Sequence, residues 1–306
     1  MYITVVAAAL KNSTQMVDVE CNEATMGALA PEYDWDDCRT AGWDKHARFG
    51  YFKSERQGVG RHIGSENDLL REYYAATHKV WKKAYELQRD DKGELILDQF
   101  GKAQPVLDAD GNPVTIPLAE RDVEPIVYYM NLNFPESMQP TATRIGQDWN
   151  QAFAEALAAA KGISVDALLD EVEAETGKRL VFEVRENTCS VNGINDYIAA
   201  NPSMQDVVDE GTRGEGLLPG NLERTCAGLT NISRQREDAK SFTWQQAGDT
   251  RFHFIYWVNE DAPNGPLGYG PSATDVETGR IVSGNAYVYG AAVDSYARSA
   301  ADVVGA

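Results

Sequence analysis

Four histidines are available to bind a metal or move protons in this chain, His46, His62, His78 and His253, and none of them opens an H-E-x-x-H frame. A helix-borne zinc centre needs two imidazoles one turn apart, and that spacing is absent. Each histidine therefore reads as a solitary surface or core residue, with a zinc site assembled from distant histidines as the alternative. The G-x-S-x-G elbow that would expose a nucleophilic serine does not occur. Gly58-Val59-Gly60 and Gly268-Tyr269-Gly270 are G-x-G fragments with no third glycine and no helix to follow, so a nucleotide phosphate finds no cradle. Asp108-Ala109-Asp110-Gly111-Asn112 opens like a calcium loop, because alternate carboxylates can converge on a hard cation. The closing Glu of such a loop falls on Ala119, and a hairpin turn is expected instead. The carboxylate pairs Asp36/Asp37 and Glu173/Glu175 read as solvated faces.

Cysteine chemistry is constrained by spacing. Cys21, Cys38, Cys189 and Cys226 contain no C-x-x-C pair, which disfavours a zinc knuckle or a thioredoxin-like site. An even count with one pair in each half suits two local disulfides, Cys21 with Cys38 and Cys189 with Cys226, in an oxidising, extracytoplasmic compartment. Four buried thiols are the alternative. The disulfide reading leaves no thiolate for Cys–His catalysis.

Charge excludes further classes. With 47 acidic against 28 basic side chains the net charge is −19, which repels nucleic-acid phosphates and anionic membrane surfaces. No run approaches the roughly 18 apolar residues of a transmembrane helix. Met1 to Leu10 is apolar but has neither a basic leader nor a cleavage site, so an interior strand or a cut end is expected there, not a signal peptide.

The 306 residues suffice for two domains, and an α+β organisation is expected: a smaller β-rich region over 1–120, then a mixed twisted sheet backed by helices over 121–306. Arg48 to Glu55 reads as a strand. Apolar positions from Leu69 to Tyr85 fit a 3.6-residue period and predict a helix within Ser65 to Gln88. Three glycine turns between Asp90 and Pro117 predict a hairpin array. Pro125 to Asn131 is a strand, and a helix follows Pro140 with Ile145, Trp149, Phe153 and Leu157 on one face, ended by Gly162. Ser164 caps a second helix with Leu168, Leu169 and Val172 inward, and Leu180 to Val184 is a strand. Short helical pieces surround the second cysteine pair, within an insertion over about 162–245.

Arg251 to Tyr289 carries the clearest positional signal. Aromatic and β-branched residues from Phe252 to Val258 favour a central, buried strand. Leu267, Gly268, Tyr269, Gly270, Pro271 and Ser272 suit an edge strand, where a missing N–H breaks no ladder and an extended peptide can be laid alongside. A turn over Asp275 to Gly279 leads into a strand from Arg280 to Tyr289, with Ile281, Ala286 and Val288 inward.

These segments, in order, carry a resemblance. EPIVYYMNLNFPESMQPTATRIGQDWNQAFAEAL, then DTRFHFIYWVNED, then LGYGPSATDVETGRIVSGNAYVYGAAVDSYARSAADVV resemble large bacterial extracytoplasmic zinc metalloproteases of the metzincin type, and RFGYFKSER resembles the segment ahead of their protease domain. The likeness covers roughly residues 46 to 304, and G-P-S-x-x-D-x-x-T-G-x-I is its most specific part. It implies that Pro125 to Asn131 opens the upper catalytic subdomain, that Gln139 to Ala160 backs the sheet, and that Leu267 to Ser272 binds an extended peptide or protein substrate. The resemblance also implies a zinc-binding H-E-x-x-H-x-x-G-x-x-H helix after these strands, and the chain reaches Ala306 without one. No catalytic residue and no metal ligand can be assigned; zinc is expected only for the complete family enzyme. The expectation is the front portion of a secreted zinc metalloendopeptidase, inactive alone. The alternative is a non-catalytic extracytoplasmic binding or scaffold protein on the same sheet, and a hydrolase with an unrecognised carboxylate site is a third reading.

Overall fold

The computed structural model describes residues 53–57, 71–99, 101, 103–259, 266–275 and 279–305. The protein is α+β, with a sheet of parallel and antiparallel strands backed by helices. Its described residues form two compact units that interleave along the chain, one from Met1–Ile126, Asn150–Val181 and Thr274–Ile281, the other from Val127–Trp149, Phe182–Ala273 and Val282–Ala306.

In the first unit β1 (Lys53–Gln57) pairs antiparallel with β2 (Arg71–Ala75). The helix expected over Ser65 to Gln88 is not formed. Beyond β2, Trp81, Tyr85, Leu87 and Arg89 bridge in turn to Val123, Thr115, Pro105 and Leu95. Trp81, Tyr85 and Leu87 on one parity won over an apparent period of 3.6, which Tyr74 and Val80 had created on the other. The hairpin array is present as expected. Gly93, Gly101 and Gly111 take positive φ at its turns. Asp90 accepts the Lys92 and Glu94 N–H groups, and Asp108 accepts those of Asp110 and Asn112 at 2.9 Å each. The Asp108 carboxylate is therefore the acceptor that closes its own turn.

Helix α1 (Gln139–Lys161) crosses from one unit's residues to the other's. Its second half supplies buried Ala154, Leu157 and Ala158 to the first unit, and Gly162 at φ 73° ends it. Helix α2 (Val165–Thr176) is capped by the Ser164 hydroxyl, which accepts the Ala167 N–H at 3.2 Å, and it buries Leu168 and Val172 while Leu169 stays half-buried. Lys161 is buried, donating to the Arg121 carbonyl at 2.9 Å and to Glu171 at 2.7 Å.

The second unit is organised by the sheet β4-β3-β5-β8-β6, from β3 (Ile126–Met130), β4 (Phe182–Arg185), β5 (His253–Val258), β6 (Gly268–Tyr269) and β8 (Ile281–Tyr289), with β7 (Ser272–Thr274) also paired to β8. Strands β3, β5 and β8 are mutually parallel and β6 is antiparallel. One face of β5 and its neighbours carries Met130, Ile255 and Trp257, packed with Phe134, Ala142, Ala286 and Val288. The first half of α1 meets this unit most closely through small residues; Ile145, expected on the same face, is 44% exposed, and Trp149 is 48% exposed with its ring 6.4 Å from that of Phe182 on β4. The reason is proximity: a Cβ on Gly146 would lie 3.1 Å from Val184, and only Ala142 and Gly146 fit so close an approach.

Between β4 and β5 lie α3 (Val191–Ala200), α4 (Gln205–Thr212) and α5 (Pro219–Ser233). They enclose Ile194, Met204, Leu222, Leu229 and Phe242 around a Cys189–Cys226 disulfide whose Cα atoms are 5.9 Å apart. The expected second bridge, Cys21 with Cys38, lies outside the described residues. Helix α6 (Gly290–Gly305) follows β8 without a break, where the sequence reading assigns no helix. A Cβ at Gly290 would sit 2.5 Å from the Trp257 ring, so glycine permits the turn from strand into helix. Among the described residues no helix is long and apolar enough to cross a membrane.

Candidate functional site

Among the described residues the sheet ends at β6, and the pairing register determines what that edge offers. Gly268 lies opposite Val288 and Tyr269 opposite Tyr287. The Tyr289 N–H donates to the Leu267 carbonyl at 3.1 Å and the Asn285 N–H to the Pro271 carbonyl at 2.9 Å. Leu267, Tyr269 and Pro271 thus spend their backbone groups on β8. In an antiparallel ladder the intervening residues turn theirs the other way, so the N–H and C=O groups of Gly268 and Gly270 face outward. Both glycines are exposed, as are Leu267 at 47% and Tyr269 at 60%. Pro271 and Ser272 are half-buried.

Local sequence explains this geometry. A Cβ at Gly268 would stand 2.8 Å from the Tyr287 carbonyl oxygen, so the closeness of β6 to β8 requires glycine there. At Gly270 the same added atom would be 3.8 Å from the nearest neighbour, the Asn285 carbonyl, which is ordinary contact. Pro271 has no N–H to offer β8, and its carbonyl alone makes the bond to Asn285. The hairpin that returns the chain is closed by Asp275 N–H to Arg280 carbonyl and Gly279 N–H to Asp275 carbonyl, each 2.8 Å.

The second face of this sheet is aromatic. Phe254 stacks on Tyr256 at 5.2 Å, and Tyr256 on Tyr287 at 4.7 Å with planes 12° apart. Tyr256, Tyr287 and Tyr269 are cross-strand neighbours on β5, β8 and β6. Burial, with Tyr287 beside it, raises the Tyr256 phenol above its usual range. The sequence shows three tyrosines here, but only the register puts them in one row. The edge residues were legible; the row was not.

Other candidate groups occupy structural roles. His253 is largely buried, stacked on Tyr128 at 5.1 Å, and its Nδ1 accepts the Gly284 N–H at 2.7 Å. Desolvation lowers its pKa, so the ring is held neutral. Burial likewise pushes Tyr128 up to about 12. Glu173 and Glu175, read as a solvated pair, face Arg179 and Lys82 respectively. His46, His62, Asp36 and Asp37 lie outside the described residues. Among the described residues no group of three His, Cys, Asp or Glu side chains is placed to hold a metal ion. A shallow depression of about 660 Å³ runs over the first turns of α1, lined by Glu136, Gln139, Arg144 and Asp148 among others. All of its lining comes from one short stretch of chain, residues 136–148.

Compared with known proteins, the chain matches no family model, no curated protein and no solved structure.

Proposed function

We propose that this chain binds an extended peptide by adding it as a strand along the outer side of β6, as the substrate-holding portion of an extracytoplasmic zinc metalloendopeptidase. One observation carries the reading: an exposed sheet edge whose outward backbone groups belong to two glycines. Strand addition draws affinity from main-chain hydrogen bonds, and side-chain bulk at an edge opposes it. Gly268 and Gly270 supply the first without the second. The Cys189–Cys226 bridge fits an extracytoplasmic setting. The metalloendopeptidase part rests on the resemblance of the strand and helix segments in their order, and the described residues supply no zinc centre of their own.

Fluorescence anisotropy of the full chain with a labelled Thr-Lys-Thr-Tyr-Thr-Lys-Thr peptide tests the binding. Gly270→Pro removes one outward N–H while leaving the bonds to β8 in place, and the site has room for the ring's Cβ. Binding is expected to weaken at least about fivefold, the loss of one hydrogen bond with some steric obstruction. A wild-type chain that fails to bind, or a variant that binds equally well, overturns the reading. The family part is tested separately by the complete coding sequence, where an H-E-x-x-H motif downstream of these strands is expected.

A further inference from the structure

The peptide-binding edge is chemically one-sided. Along β6 and its extensions, Leu267, Tyr269 and Pro271 alternate with Gly268 and Gly270. Alternate residues of a strand project to opposite faces, so from Leu267 to Pro271 every side chain lies on one face and the other face is bare. That face is the aromatic one. Tyr269 is the cross-strand neighbour of Tyr287, which is the neighbour of Tyr256. Exposure grows along the row, from half-buried Tyr256 and Tyr287 to Tyr269 at 60%, and Tyr269 is its last member before solvent.

Resting on the strand-addition reading above, we infer that the peptide bound at this edge presents an aromatic side chain to Tyr269, continuing the Tyr256–Tyr287–Tyr269 row by one strand, and that this position sets the preference for sequence. The register supports it. Because Gly268 and Gly270 make the outward hydrogen bonds, the peptide residue opposite Tyr269 in an antiparallel addition falls at a non-hydrogen-bonded position. There the Cα atoms approach to about 4.5 Å and facing side chains are closest. Ring pairs gain from offset or edge-to-face contact beyond simple burial, and a large aromatic best covers the exposed Tyr269 ring. The residues two places away on the peptide meet Leu267 and Pro271, while intervening ones meet glycine and are read only weakly. The chain's net charge of −19 favours Lys or Arg at those intervening positions and opposes Asp or Glu. The occupant is thus an extended, non-acidic peptide with an aromatic residue on its inner-facing side.

Two labelled probes decide it, Thr-Lys-Thr-Tyr-Thr-Lys-Thr and the same peptide with Ala in place of Tyr. Wild-type protein is expected to bind the Tyr probe about three- to tenfold more tightly. Tyr269→Thr keeps a β-branched strand residue and is expected to bind both probes with the wild-type affinity for the Ala probe, whereas Tyr269→Phe keeps the preference; unchanged thermal melting certifies the fold of each variant. Equal binding of the two probes by wild-type protein, or a preference that survives Tyr269→Thr, overturns the aromatic subsite while the edge reading stands. Failure of wild-type protein to bind either probe, or undiminished binding by Gly270→Pro, overturns the edge reading and this inference with it. Tyr269-dependent binding of a cello-oligosaccharide in place of either peptide would assign the row to sugar stacking and also overturn it.

Discussion

The side chain of Asn131 takes the place of a strand for Trp257. Its Nδ2 donates to the Trp257 carbonyl at 3.3 Å and its Oδ1 accepts the Trp257 N–H at 3.0 Å, just where β3 has stopped and β5 continues. The Asn131 backbone N–H also donates to the Ile255 carbonyl at 3.1 Å. An amide can do this because it carries a donor and an acceptor in one plane, like a peptide group.

Asn131→Ala should therefore leave the N–H and C=O of a buried strand residue unpaired and lower stability by about 1–3 kcal/mol. Asn131→Asp keeps an acceptor and loses the donor, and should fall between. Urea unfolding of the three proteins measures the order; equal midpoints for wild type and alanine would show that water replaces the amide at no cost.

The Cys189–Cys226 bridge closes a loop of 37 residues. Constraining that loop in the unfolded chain stabilises by about 4 kcal/mol on the chain-entropy estimate. Reduction, or the Cys189→Ser/Cys226→Ser pair, should lower the melting temperature accordingly, and non-reducing peptide mapping should recover the 189–226 crosslink. A melting temperature insensitive to reductant would contradict the stabilising role.

Helices α4 and α5 touch at Gly211, where an added Cβ would come within 2.6 Å of the Thr225 Oγ1 and 2.8 Å of its Cα. Thr225 is fully buried and bonded to the Asn221 carbonyl at 2.9 Å, so it cannot swing aside. Gly211→Ala should destabilise by about 1–3 kcal/mol in spite of alanine's better helix propensity. Chemical denaturation decides whether contact or propensity wins.

The neutral His253 ring makes stability fall in acid. Its folded pKa lies below the unfolded value near 6.5, so the unfolded chain binds the extra proton first, and stability is lost as pH drops from about 6.5 toward the folded pKa. Protonation of Nδ1 also removes the acceptor for the Gly284 N–H. The urea midpoint should decline between about pH 7 and pH 5, and His253→Gln should flatten that part of the decline. A wild-type and variant with parallel profiles would assign the acid sensitivity elsewhere.

Much of this architecture is legible in the sequence. Helix α2 was marked at its start by Ser164, and the hairpins by Gly93, Gly101 and Gly111, because caps and positive-φ turns depend on neighbours in sequence. Strand β5 and the edge at Gly268 were legible from residue type. What escaped was decided by distant partners. Tyr85 and Leu87 joined a ladder because Thr115 and Pro105 came to meet them. Gly146 took the place of Ile145 in the α1 contact because Val184 lies so close. The tyrosine row exists only through the register of three strands, two of which are parallel and far apart in sequence.

The nested ladder of the first unit bears on how the chain acquires its shape. Leu87–Pro105 encloses two short closures, Arg89–Leu95 and Leu97–Ala103; Tyr85–Thr115 encloses these and a third, Leu107–Pro113; and Trp81–Val123 spans them all. Each outer closure adds only a short increment of loop to the one within, and loop-closure entropy grows slowly with such increments. Once the Asp90 turn and the two short closures beside it have formed, the enclosing pairings follow outward, with Trp81 and Val123 buried last. Pulsed hydrogen exchange during refolding should protect the Asp90 amide before that of Lys82, and the reverse order would rule out growth from the inner turn.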